Sequence, residues 1–119
     1  MIERQKDAGD RVVLAVTTFP NEDVAGQIGT HLVDSQLVAC VNMLPGATSI
    51  YRWKENVETE TEVVGIMKTT ERTLEKLEAE LQEKHPYDEP EFVVLAVEAG
   101  SAGYLGWVRE ETRVDKPGS

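Results

Sequence analysis

Residues 48–69 constrain the fold of this chain more than any other segment. Thr48-Ser49-Ile50-Tyr51-Arg52-Trp53 and residues 58–69 read as strands on either side of a short polar turn, 54–57, in which Asn56 is expected at positive φ. The other strand-like runs, 11–18 and 91–97, are about half as long, so this hairpin must project past a compact core. A two-stranded ribbon on its own is marginal in water, so its tip needs a partner. The first half of the return strand alternates Glu and Thr, which sets Glu58, Glu60 and Glu62 on one face. Leu44-Pro45-Gly46-Ala47 marks a bend or bulge just before the hairpin.

The remaining pattern fits around that hairpin. Residues 11–18 and 91–97 are nearly continuous apolar runs rich in β-branched residues, the signature of covered strands. Asn21 caps a helix to about Gln36, with Glu22 and Asp23 suited to its positive end. Gly26 and Gly29 weaken it and suggest close packing on a sheet. Residues 37–42 read as a strand with Cys40 buried in it. Thr70 caps a helix whose Leu74, Leu77 and Leu81 make a narrow stripe and whose Pro86 ends it. A short helix through Tyr104 and Trp107 follows. The predicted fold is α+β: a ferredoxin-like β-α-β-β-α-β antiparallel sheet with a long β2-β3 hairpin and a C-terminal helix. One domain is expected over 11–113, with loose polar tails at 1–10 and 114–119.

Composition excludes several function classes. The net charge of −10 repels phosphate backbones, so no nucleic acid is expected, while cations and basic partners suit the field. No apolar run reaches membrane-spanning length, and residues 1–7 lack a signal-peptide core, so no membrane association is expected. A single cysteine forms no internal disulfide and no zinc spacing, and a reducing cytoplasm is the expected setting.

The segment Lys84-His85-Pro86-Tyr87-Asp88-Glu89-Pro90-Glu91 gathers an imidazole, a phenol and three carboxylates on a backbone stiffened by two prolines. It serves either as one wall of a ligand or ion site or as a packed connector. His31 reads as a packed helical residue, and Lys68, ending an apolar strand, as a partly desolvated amine. Tyr51 and Trp53 suit an inter-subunit anchor.

Thr18-x-Pro20, Leu37 to Asn42, Pro45 to Tyr51-x-Trp53, Glu60, Glu62, Met67-Lys68-Thr69-Thr70 and His85-Pro86-Tyr87-x-x-Pro90-Glu91 stand in order along the chain. Together they resemble the CutA divalent-cation tolerance family from about Val12 to Trp107. The resemblance implies a non-enzymatic homotrimer whose long hairpins join inter-subunit sheets, as in the PII signalling proteins, and a link to copper. It implies an inter-subunit cleft formed by Tyr51, Trp53, Glu60, Glu62, Lys68, Tyr87 and Glu91, with His85 as a metal ligand. No cofactor is required, and a weakly bound divalent cation, copper or zinc, is expected. The chain departs from copper-binding members at Thr17, where they carry cysteine, and at Lys84, where they carry a second histidine. A thiolate and a second imidazole are thereby lost, which points to weak binding. Two alternatives stand beside this reading. One is a PII-like trimeric small-molecule sensor or scaffold without specific metal. The other is a weak enzyme using Lys68 and Glu62.

Overall fold

The computed structural model describes residues 1–6 and 9–113. Its order is β1 (Ile2–Arg4), β2 (Val12–Phe19), α1 (Glu22–Asp34), β3 (Cys40–Trp53), β4 (Asn56–Thr70), α2 (Leu74–Lys84), β5 (Val93–Ala96), β6 (Ala99–Ser101) and α3 (Ala102–Glu111). A 3₁₀ turn at Glu71–Thr73 precedes α2. Strands β3-β4-β2-β5 form one antiparallel sheet in that order, the ferredoxin-like arrangement the sequence predicts.

Alternation along β2 and β4 divides the sheet into two unlike faces. Ala15, Phe19, Val63 and Met67 point to one side and are sealed by Ala25, Ile28 and Leu32 of α1 and Leu77 and Leu81 of α2. The other side carries Leu14, Val16, Val64 and Ile66, only half-buried, with Leu44, Val93 and Leu95 exposed around them. Helix α3 covers just one end of that side, where Leu105 and Val108 pack on Val12.

Several local expectations hold. The Asn21 side chain accepts the Val24 N–H at 2.8 Å and starts α1. The bulge falls between Leu44 and Ala47, with Gly46 at φ 81°. Others need correcting. The hairpin turn is Lys54-Glu55, both at positive φ, so these two residues and not Asn56 supply the primed turn that matches strand twist. Thr70 precedes the 3₁₀ turn without capping it; its hydroxyl instead lies 3.3 Å from that of Thr112, just past the end of α3. Leu37 and Val38 are buried in a loop, and the strand begins only at Cys40. Cys40 is half-exposed, because it faces the side away from α1 and α2.

Part of the N-terminal tail expected over 1–10 forms a strand. Ile2–Arg4 pairs with Ala99–Ser101, the Gln5 backbone N–H continues the pairing to the Glu98 carbonyl at 2.9 Å, and the Gln5 side chain ties the segment to β2. Its amide accepts from Val12 N at 2.7 Å and donates to Val12 O at 2.9 Å and Val97 O at 2.8 Å. Arg109 grips Glu3 through two bonds and holds its carboxyl below the usual carboxylate range. Polarity hid this strand, because it has no apolar pattern and is held by backbone pairing and polar side chains. The tail expected at 114–119 lies outside the described residues.

The close-packed glycine is Gly65, not Gly26 or Gly29. A Cβ at Gly65 would sit 2.8 Å from the Phe19 ring, whereas at Gly26 it meets open space and at Gly29 ordinary contact. Gly65→Ala is therefore expected to cost about 1–3 kcal/mol by overpacking, and Gly26→Ala to add about 1 kcal/mol through helix propensity. Urea unfolding of the two variants measures both; equal effects would mean that the Phe19–Gly65 contact does not limit packing.

Candidate functional site

The bulge decides which side chains form the site. Before it, Leu44 pairs Val64 and both face the open side of the sheet; after it, Ala47 pairs Glu62. One extra residue inverts the alternation of β3. Ser49, Tyr51 and Trp53 consequently share a face with Glu60, Glu58 and Asn56, their partners on β4. The 86–91 connector folds over the same side and forms the opposite wall. Between them lies an open cleft of about 900 Å³.

Six of the residues expected at the site meet there: Tyr51, Trp53, Glu60, Glu62, Tyr87 and Glu91. Glu58, Asp88 and Glu89 add three carboxylates. Thr18 and Ser49 also reach the cleft; both stand in the motifs quoted above, and their register shows which way they face. Among the described residues, the lining holds six carboxylates and no lysine, arginine or histidine.

Glu62 is the best-sheltered of these acids, 7 % exposed, and accepts the Tyr87 hydroxyl at 2.8 Å. Burial first, then this bond and the charge of Glu62, push the Tyr87 phenol well above its ordinary value. A hydrogen bond to Glu60 raises the Tyr51 phenol as well.

Two expected site residues do something else. His85 is 7 % exposed and its ring is committed on both sides. The Tyr87 N–H donates to Nδ1 at 3.1 Å, so Nδ1 carries the lone pair. The Thr18 carbonyl can only accept, so Nε2, 2.7 Å away, carries the proton. The ring stacks on Phe19 at 5.5 Å and meets Tyr87 at 4.7 Å. With both ring nitrogens engaged, His85 stands as a post behind the cleft wall and offers no free lone pair in this arrangement. Lys68 is six residues from Glu62 along β4, roughly 20 Å. Its ammonium bonds Asn42 and lies 4.0 Å from the Cys40 sulfur, outside the cleft. The Lys68/Glu62 pairing imagined for an enzyme is therefore absent. Thr17 is fully buried under the helices, on the side away from the cleft.

Among the described residues, no three His, Cys, Asp or Glu side chains gather closely enough to cage a metal ion. The carboxylates line a trough rather than converge on a point. Such an arrangement attracts cations and holds an ion by few direct ligands.

The Tyr87–Glu62 bond gives a pH-dependent expectation. Below the ordinary phenol value of about 10, Tyr87 is neutral in folded and unfolded chains and its contribution is full. Above that, the unfolded chain ionises while the folded chain keeps the proton, so stability falls as pH rises. Of the three phenols, the last to ionise in an absorbance titration is expected to vanish in Tyr87→Phe. An unchanged titration curve would remove the bond from the argument.

Comparison with known proteins places this geometry. The profile of the CutA1 divalent ion tolerance protein family matches residues 13–111. A protein named divalent-cation tolerance protein CutA, from Thermus thermophilus, is 42 % identical over 99 residues, 83 % of this chain and 96 % of that protein. Its solved structure superposes with a TM-score of 0.83 over 85 % of this chain and 98 % of that one. Human protein CutA is also 42 % identical over 85 % of this chain, which spans 56 % of the human protein's length. A structure described as a periplasmic divalent cation tolerance protein CutA, from Archaeoglobus fulgidus, is 28 % identical with a TM-score of 0.82, covering 85 % of this chain and 98 % of that one.

Proposed function

The chain belongs to the CutA1 divalent ion tolerance protein family, and from that premise we propose that it serves divalent-cation tolerance as a non-catalytic homotrimer. In this reading the cleft, closed by a neighbouring subunit, takes up copper or zinc weakly. The observation that carries the proposal is the cleft lining, six carboxylates without one basic side chain, in a chain of net charge −10. Carboxylate oxygens attract divalent cations, but the absence of a three-ligand cage among the described residues argues for a loose, exchangeable site. The ion is cargo, and no step of chemistry is assigned to it.

The half of the sheet that α3 leaves bare supports assembly. Leu14, Val16, Val64, Ile66, Leu44, Val93 and Leu95 make an apolar surface of the kind that monomers seldom leave to water. The projecting hairpin adds exposed Ile50, Trp53 and Val57 at its tip. A stoichiometry of three follows from the family resemblance. The cytoplasm is the proposed compartment, on the ground that the one thiol is unpaired.

Light scattering at micromolar concentration is expected to give three chain masses; a folded monomer would overturn the assembly. Calorimetric titration of the chelator-treated protein with copper(II) or zinc(II) is expected to show micromolar or weaker binding, on the order of 8 kcal/mol or less. Glu60→Gln combined with Glu62→Gln is expected to weaken it at least tenfold, while His85→Gln leaves it unchanged. Nanomolar affinity, or a strong dependence on His85, would overturn this placement of the site.

A further inference from the structure

At the end of β2 remote from the cleft, a smaller pocket of about 200 Å³ lies where β1, the entry to β2 and α3 come together. Glu3, Gln5, Lys6, Asp10, Arg11 and Arg109 line it. The first five of these precede residues 13–111, the span the family profile matches, so the family match does not account for the pocket.

The local charge runs against that of the chain, which is −10 overall. Both acids on the lining are already answered. Arg109 holds Glu3 through two bonds, and its remaining donors go to Gln5 Oε1 at 3.0 Å and the Asp10 carbonyl at 2.9 Å. Arg72, in the 3₁₀ turn before α2, pairs with the Asp10 carboxylate. Two cations are left over. Lys6 is exposed and enters no ion pair among the described residues. The Arg11 side chain meets only Glu71, through one Nη2 contact of 3.4 Å, which is long for a bond between charged groups.

Arg11 also carries a buried defect. Its Nε is closed to water and has no hydrogen-bond partner among the described residues, a condition shared by the Nε of Arg72. Such orphaned donors are rare in folded chains and mark places where an ion or a water completes the set. A guanidinium N–H is best met by a charged oxygen. The Arg11 side chain is 36 % exposed and held by one long contact, so it is free to turn that N–H toward an acceptor in the pocket it lines. Lys6 follows β1 and Arg11 precedes β2, so their donors come from separate segments. A tetrahedral anion, with oxygens in several directions, suits them better than a flat carboxylate, which suits a single fork.

We propose that this pocket binds phosphate, free or as the phosphoryl group of a small molecule, held by Lys6 and Arg11. The site is separate from the acidic cleft and of opposite charge preference.

Calorimetric titration of the full chain with inorganic phosphate and with glycerol 3-phosphate, against acetate and chloride at matched ionic strength, tests it. Phosphate is expected to bind at least tenfold tighter than acetate. Tighter binding of glycerol 3-phosphate would support the site and identify an organic phosphate as occupant; equal affinity would support it and identify the free ion. Arg11→Gln is expected to lose at least tenfold. Lys6→Gln, at an exposed position that does not endanger folding, is expected to lose several-fold. Phosphate no tighter than acetate, or phosphate affinity unchanged by Lys6→Gln, would overturn the proposal.

Discussion

The inserted residue at the Pro45–Gly46 bulge is the constraint on which the site depends. Strand side chains alternate with a period of two, so a single inserted residue inverts everything beyond it. Upstream of the bulge, β3 sends Val41 and Met43 toward α1 and leaves Asn42 and Leu44 on the open side. Downstream, the odd-numbered residues take the open side, and Tyr51 and Trp53 arrive opposite Glu58 and Asn56. Remove the extra residue, with register otherwise kept, and both aromatics would lie on the far face from the glutamates. Gly46, at φ 81°, makes the bulge inexpensive, since a residue with a Cβ is strained there.

A second chain of contacts ties the cleft to the core. Phe19 is fully buried at the end of β2, lying over Gly65, where a side chain would collide with its ring. His85 stacks on Phe19 and fixes the connector by two hydrogen bonds, one to the Thr18 carbonyl and one from the Tyr87 amide. Tyr87 is thereby aimed at Glu62. A sheltered glycine, a phenylalanine and a histidine outside the cleft lining thus position the phenol that lines it. The two prolines add stiffness on either side, which is why a segment without regular secondary structure can serve as a wall.

This division explains what the sequence disclosed. Strand order, the long hairpin, the bulge and the glutamate row follow from periodicity and from Pro and Gly, which act locally and leave a visible pattern. His85 was legible as a notable residue, but residue type shows two nitrogens and not what they already bond. Within one chain Lys68 lies apart from Glu62, because each strand residue adds about 3.4 Å and six residues separate them. Cys40 sits beside three buried residues, but the strand starts at it and turns it outward. The N-terminal strand was invisible because it has no apolar pattern and Gln5 ties it to β2 with an amide side chain that composition counts only as polar.

The two faces of the sheet also link assembly to binding. The cleft opens at Thr18 and Glu62, at the end of the same bare face that ends at Val12 and Thr70 beneath α3. A subunit packed on that face would border the cleft and bring its own charges near Glu62. Six uncompensated carboxylates per chain repel one another when brought together, and this repulsion opposes the apolar attraction that the bare face provides. A cation held in the cleft relieves it. By linkage, whatever binds the assembled form more tightly than the separated one stabilises assembly by the same free energy. In a trimer built on this face, occupancy of the cleft and cohesion of the subunits are therefore one equilibrium, read at two places.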